Sequence, residues 1–248
     1  SLGYGAVADL KLGLNESYTL DMTLLPDCSQ VRSDNIVKNL GAFEVVFEEH
    51  RPFFQEGVEL FNRGGLFYSR RIGGVPEKYN EAFSNADSNE VLVDNPNTSR
   101  LINVAKVSGR NKNGLGIGVM NALTAPTDAV FENAEMGEAR SLLTNPLVNY
   151  NIVSFDQNLK NNSSIYFINL NTNRADKFTD ANVSAAGLNL ISKNSAYSFI
   201  GDIKVSQRDT NLMANIFRAD EGDGLSYSLR VGKIKGNYKF ALANETKT

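Results

Sequence analysis

The sequence predicts an all-β chain, an antiparallel up-and-down transmembrane barrel or a fragment of one, with a long plug-like insertion. Three observations predict it. Apolar residues recur with period two along most of the chain. Short turns alternate with long polar connections. Several alternating runs approach the roughly 9–11 residues that let a tilted strand cross a bilayer.

Ten spanning strands are expected, at 2–14, 17–26, 100–109, 114–124, 147–159, 163–172, 185–191, 195–206, 224–233 and 236–243. Each rests on alternation. Tyr18, Leu20, Met22 and Leu24 share a face, with Thr19, Asp21 and Thr23 between them. Leu115, Ile117 and Val119 alternate with Gly114, Gly116 and Gly118, which reads as a strand with a small inward face. Tyr197, Phe199, Ile203 and Val205 oppose Ser198, Asp202 and Lys204. Leu225, Tyr227, Leu229 and Val231 alternate with Ser226, Ser228 and Arg230, and Tyr238, Phe240 and Leu242 follow the same rule.

The strands fall into hairpins. Asn15-Glu16, Asn111-Lys112-Asn113, Asn161-Asn162, Lys193-Asn194 and Ile234-Lys235 supply the turns, and Asn suits them because it tolerates positive φ. The connections between hairpins, 27–99, 125–146, 173–184 and 207–223, are long and polar. Outer-membrane barrels show this asymmetry, with turns at the periplasm and loops outside. Leu66 to Ile72 also alternates like a strand. Counting it as spanning would break the up-down order, so it is placed inside the 27–99 insertion. Ser1 then begins at the outer end of a strand and the last strand runs outward. Further strands are therefore expected on each side, with 1–248 as barrel region and 27–99 as a folded insertion in the lumen or at the outer face.

Composition excludes several chemistries. A net charge of -3 gives no basic footprint for nucleic acid. One cysteine and one histidine exclude a disulfide framework and any metal site built from several of either. No run of eighteen apolar residues supplies a membrane helix, a test that a β-barrel also passes. No G-x-S-x-G elbow and no phosphate-binding G-K-[ST] loop occurs. Asp220-Glu221-Gly222-Asp223-Gly224 lacks EF-hand spacing. His50 beside Glu49 could move a proton, and Glu44, Glu48 and Glu49 could pair as carboxylates, but both patterns also suit a charged insert. Cys28 reads as a small apolar residue. Without tryptophan, an aromatic girdle must come from residues such as Tyr4, Tyr18, Tyr150, Tyr166, Tyr197, Tyr227 and Tyr238. No cofactor is called for.

The insertion interleaves charge with aromatic residues. Glu44, Glu48, Glu49, Glu56 and Glu59 alternate with Phe43, Phe47, Phe53, Phe54 and Phe61, and Arg51, Arg63, Arg70 and Arg71 supply the opposite sign. Guanidinium forks can hold such a segment inside a polar lumen. Glu44, Arg51, Glu56, Arg70 and Arg71 are the expected charge network of the insert.

Certain stretches carry a resemblance. They are Pro26-Asp27-Cys28-Ser29-Gln30-Val31-Arg32-Ser33-Asp34, Glu49-His50-Arg51-Pro52-Phe53-Phe54-Gln55-Glu56-Gly57 and Leu66-Phe67-Tyr68-Ser69-Arg70-Arg71-Ile72-Gly73. With the hairpin from Ala105 to Leu115, they resemble a Bacteroidota family of unknown function. In that family a family-nine-type carbohydrate-binding domain precedes a predicted outer-membrane barrel. Cys28, Arg32, Glu48 and Gln55 depart from the family's usual Phe, Glu, Pro and Leu. The resemblance implies an outer-membrane location and no established activity. The expected partners are the lipid bilayer of the outer membrane and other outer-membrane proteins. The expected role is solute passage or a scaffold subunit. The alternative is a soluble or surface β-rich protein that binds or hydrolyses carbohydrate. The outward faces of 195–206 and 224–233 separate the two, being lipid-facing in the first and packed into a two-sheet core in the second.

Overall fold

The structure, a computed structural model, describes residues 8–24, 48–135, 137–176, 178–209 and 223–247. It is all-β and antiparallel. The strands are β1 (Ala8–Gly13), β2 (Tyr18–Leu24), β3 (Glu90–Asp94), β4 (Leu101–Arg110), β5 (Leu115–Thr124), β6 (Thr127–Asn133) and β7 (Ala139–Asn145). They continue with β8 (Val148–Asn158), β9 (Ser164–Arg174), β10 (Asp180–Ile191), β11 (Tyr197–Asp209), β12 (Gly224–Lys233) and β13 (Phe240–Lys247).

Ten strands form one meander in the order β1-β2-β4-β5-β8-β9-β10-β11-β12-β13, and β3, β6 and β7 form a separate three-stranded sheet. The ten strands of the meander overlap the ten expected spanning segments. The wall is open, however, and not a closed barrel. β1 pairs only with β2 and β13 only with β12, so first and last strands do not meet. Alternation fixes which face a side chain takes. Closure depends on how far the sheet curls, and period two does not encode that.

The turns form as the asparagines predict. The Asn15 side-chain oxygen accepts from the backbone of Ser17 and Tyr18, and that of Asn111 accepts from Asn113 and Leu115. Asn161 and Asn162 take positive φ of 58° and 55°, the pair of left-handed residues that a tight hairpin with native twist requires.

Three local expectations are corrected. Leu66 to Ile72 is not a strand; it follows a short 3-10 turn at Arg63–Gly65 and contains another at Ser69–Arg71. Its apolar residues meet the sheet from above rather than pairing in it, and Leu66 and Phe67 pack on the core. Residues 125–146 are not a loop but carry the β6–β7 hairpin, joined by β3 from the insertion. Its own small core of Ala82, Ala129 and Phe131 explains why it stands apart. β10 begins at Asp180, earlier than expected; Asn182 and Ser184 share a face with Ala186 and hide the alternation of its first half.

The main core lies between residues 53–72 and one face of β4, β5, β8, β9 and β10. Phe54, Phe61 and Ile72 pack on Val104, Met120, Ala122, Ile152, Ile168 and Ala185. Full burial of each such large side chain is worth about 1.5–3 kcal/mol. The expected small inward face of β5 is what admits the insert. A Cβ on Gly116 would lie 2.6 Å from Leu60 Cδ2, and one on Gly118 would lie 3.1 Å from the Phe61 ring. The backbone of β5 is thus approached directly by the insert's Leu60-Phe61 pair.

Candidate functional site

The candidate site is the contact between the insert and the inward face of the sheet. Period two places Lys106, Ser108 and Arg110 of β4 on this face beside Val104, and Ser154 and Asp156 of β8 beside Ile152. Register then aligns them: Asp21 with Lys106, Lys106 with Met120, and Gly116 with both Arg110 and Asp156. The result is polar anchors set among apolar contacts.

Four anchors are resolved. At the first, buried Lys106 donates to the backbone carbonyls of Phe53 and Glu56, each at 2.6 Å. Its ammonium also lies 4.4 Å from the centre of the Phe53 ring and 3.7 Å from Asp21. At the second, the Ser154 hydroxyl donates to the Leu60 carbonyl at 2.6 Å. At the third, the Asp156 carboxylate is fully buried between two arginines. Arg63 of the insert approaches to 2.8 Å, and Arg110 of β4 pairs with the other oxygen.

The fourth anchor closes the insert on itself. Arg51 holds Glu49 through a two-pronged contact at 2.9 and 2.8 Å, and donates to the carbonyls of Ile72 and Ser69 at 2.8 and 2.7 Å. Its guanidinium also lies over the Phe54 ring at 4.3 Å. The Ser69 hydroxyl donates to Glu49 at 2.5 Å. One arginine therefore ties the start of the described insert to its Ser69–Ile72 stretch, which fits the planar five-donor fork of Arg and not the point charge of Lys.

Burial pushes the Glu49 carboxyl up, but the hydrogen bonds from Arg51 and Ser69 outweigh it and hold it at about 2. A depressed carboxylate pKa stabilises the fold above the unfolded value and loses that contribution as pH falls through the folded one. The Glu49 clasp is therefore expected to weaken between about pH 4.5 and pH 2, by up to about 3 kcal/mol. Limited proteolysis of the insert across that range measures it. Glu49→Gln should remove the Glu49 share of the pH dependence, leaving that of the Glu56–Lys11 pair, and an unchanged profile in that variant would refute the assignment.

The other sequence-predicted residues lie around these anchors. Glu56 pairs with Lys11 of β1 at 2.7 Å, outside the Arg51 clasp. Arg70 donates to the Glu48 carbonyl, with its Nε at 2.7 Å. The Arg71 guanidinium stands 5.9 Å from the centre of the Tyr68 ring, and its carbonyl accepts from the Tyr150 hydroxyl at 3.3 Å. Glu44 lies outside the described residues, as do Cys28, Asp220, Glu221, Gly222 and Tyr4. His50 is exposed and joins no anchor among the described contacts. Tyr150 and Tyr166 do not belong to an outer girdle: both pack on the insert's core.

Sequence reasoning missed Lys106, Asp156, Arg110 and Ser154. A signal existed. Each shares the inward face of its strand with a buried apolar residue, Val104 in β4 or Ile152 in β8, where an unpaired charge would be costly. Among the described residues no group of three His, Cys, Asp or Glu is placed to hold a metal ion.

No curated protein and no solved structure matches the chain. A family model matches residues 3–248. The chain therefore belongs to the family described as Domain of unknown function (DUF5916).

Proposed function

We propose that this chain forms the wall of an outer-membrane β-barrel whose insertion lies on the inner face and narrows the path through it. The wall serves solute passage, or a scaffold role in an outer-membrane complex. One observation carries the reading: the ten-stranded sheet has an exposed apolar face opposite the face that holds the insert. Phe155, Ile203 and Leu229 are 42%, 47% and 46% exposed, and Val119, Phe167, Leu225 and Val231 lie open beside them. Among the described residues no second sheet covers β11 and β12 on that side. A soluble sandwich would bury those positions between its sheets, whereas lipid is the solvent they suit.

Strand length supports the reading. β4, β5 and β12 have 10 residues, β8 and β9 have 11, and β10 and β11 have 12 and 13, enough to span at a tilt. So does the polar inner face beyond the insert, where Asp202, Lys204, Ser226, Ser228 and Arg230 line β11 and β12. The resemblance of the insertion to the Bacteroidota barrel family points the same way.

The test begins with fractionation of the full-length protein and a heat-modifiability gel. Recovery in the outer membrane with a heat-dependent mobility shift supports a closed wall. Recovery as a soluble monomer sinks the proposal and favours the carbohydrate-binding alternative. In reconstituted vesicles, Arg51→Ala combined with Arg70→Ala should raise passive permeability to small solutes. Unchanged permeability would mean that the insert does not occlude a path.

A further inference from the structure

The outward face of the large sheet is not uniform. Across its middle, register aligns Ile117, Phe155, Phe167, Ala186, Ile203 and Tyr227 from β5 to β12. Nearer the end that carries the long connections, the same face changes to amides. Asn121, Asn151, Asn171, Asn182 and Gln207 stand directly opposite one another in a single row across β5, β8, β9, β10 and β11.

The row is built, not incidental. Asn121 donates to Asn149 at 2.6 Å and to Asn151 at 2.9 Å. Asn173 donates to Asn171 at 2.5 Å, Asn169 to Asn182 at 2.8 Å, and Asn182 to Gln207 at 3.3 Å. Asparagine is depleted in strands, so its recurrence at one level on four adjacent strands, with Gln207 on the fifth, calls for a cause other than strand formation. A primary amide has two donors and two acceptor lone pairs, and the ladder uses only part of that capacity. All five row residues are half-buried, so they retain a face toward the surroundings.

None of the five carries a charge. Phosphate and carboxylate headgroups are met best by Arg and Lys, and the row offers neither. Sugar hydroxyls both donate and accept, and they match uncharged amides. The apolar rows beside it would take acyl chains. In a barrel the end with long connections faces outward, toward the leaflet surface where headgroups lie.

We infer that this amide row is a headgroup site for a neutral glycolipid, with the acyl chains lying on the Phe155, Phe167 and Ile203 row. The inference rests on the membrane reading above. The test uses the full chain inserted into phosphatidylcholine vesicles doped with galactosyl diacylglycerol or with an equal share of phosphatidylglycerol. Lipid retained after mild detergent extraction is measured by native mass spectrometry. Galactosyl diacylglycerol should be retained in preference. Asn151→Val with Asn171→Val should lower that retention by about fivefold for each amide lost, with insertion and heat-modifiability unchanged. If that pair fails to insert, Asn171→Thr alone gives the same reading. Equal retention of the two lipids, or glycolipid retention untouched by the substitutions, overturns the headgroup site and leaves the barrel standing. Failure of the unaltered protein to insert into any vesicle overturns both.

Discussion

Asp156→Ala is expected to free the insert from the sheet at a cost of about 1.5–3 kcal/mol, the scale of a charge-assisted contact whose remaining partners are partly exposed. The carboxylate is fully buried, with Arg63 on one oxygen and Arg110 on the other. Removing it leaves two partly exposed guanidiniums near each other, with like charges where a shared counter-ion stood. Arg110 keeps its contact with the Gly114 carbonyl at 2.7 Å, so the strand end should hold. Among the described residues Arg63 makes no second ion pair or hydrogen bond, so the insert should give way first. Limited proteolysis within 57–72 should become fast while the sheet stays resistant. Asp156→Asn keeps the shape and one acceptor, and should fall between the two. Loss of the sheet and the insert in one step would show that the anchor supports the whole wall and not the insert alone.

Lys106→Met should cost a similar amount, about 1–3 kcal/mol, although it preserves length and apolar stem. Two carbonyls of the insert, from Phe53 and Glu56, lose their donor. A fully buried, unsatisfied polar group costs about 1–3 kcal/mol, and these part-buried carbonyls cost less. Asp21 loses the ammonium 3.7 Å away as well. Urea titration followed by accessibility of the insert reads this directly. Lys106→Met combined with Asp21→Leu should recover part of the loss, because removing both members of a buried pair costs less than removing one. A double variant no more stable than the single would show that the carbonyls, not Asp21, dominate the effect.

The two residues that hold the insert most firmly to the sheet were the least visible in the sequence. Lys106 and Asp156 stand in strands that were correctly placed, yet each reads as an ordinary polar position in an alternating pattern. The partners that make them anchors come from Phe53, Glu56 and Arg63, far away along the chain. Arg51 was recognisable because its neighbours Glu49 and Phe54 are close in sequence. The same division explains Tyr150 and Tyr166. Their spacing put them on strands, but the fold turned them toward the insert, where a side chain on Gly187 would overlap the Tyr166 ring.

The sequence by itself determined the meander. Period two assigned faces, asparagine and glycine placed the turns, and the up-down order followed, because each of these is a local preference written within a few residues. Tertiary structure alone decided three things. It left the wall open between β1 and β13, set the insert on the inward glycines of β5, and lined up five amides on one outward row. Each of these depends on register and curl across strands distant in sequence. A single residue's shift in pairing would scatter the amides and close the glycine groove without changing a letter of the chain.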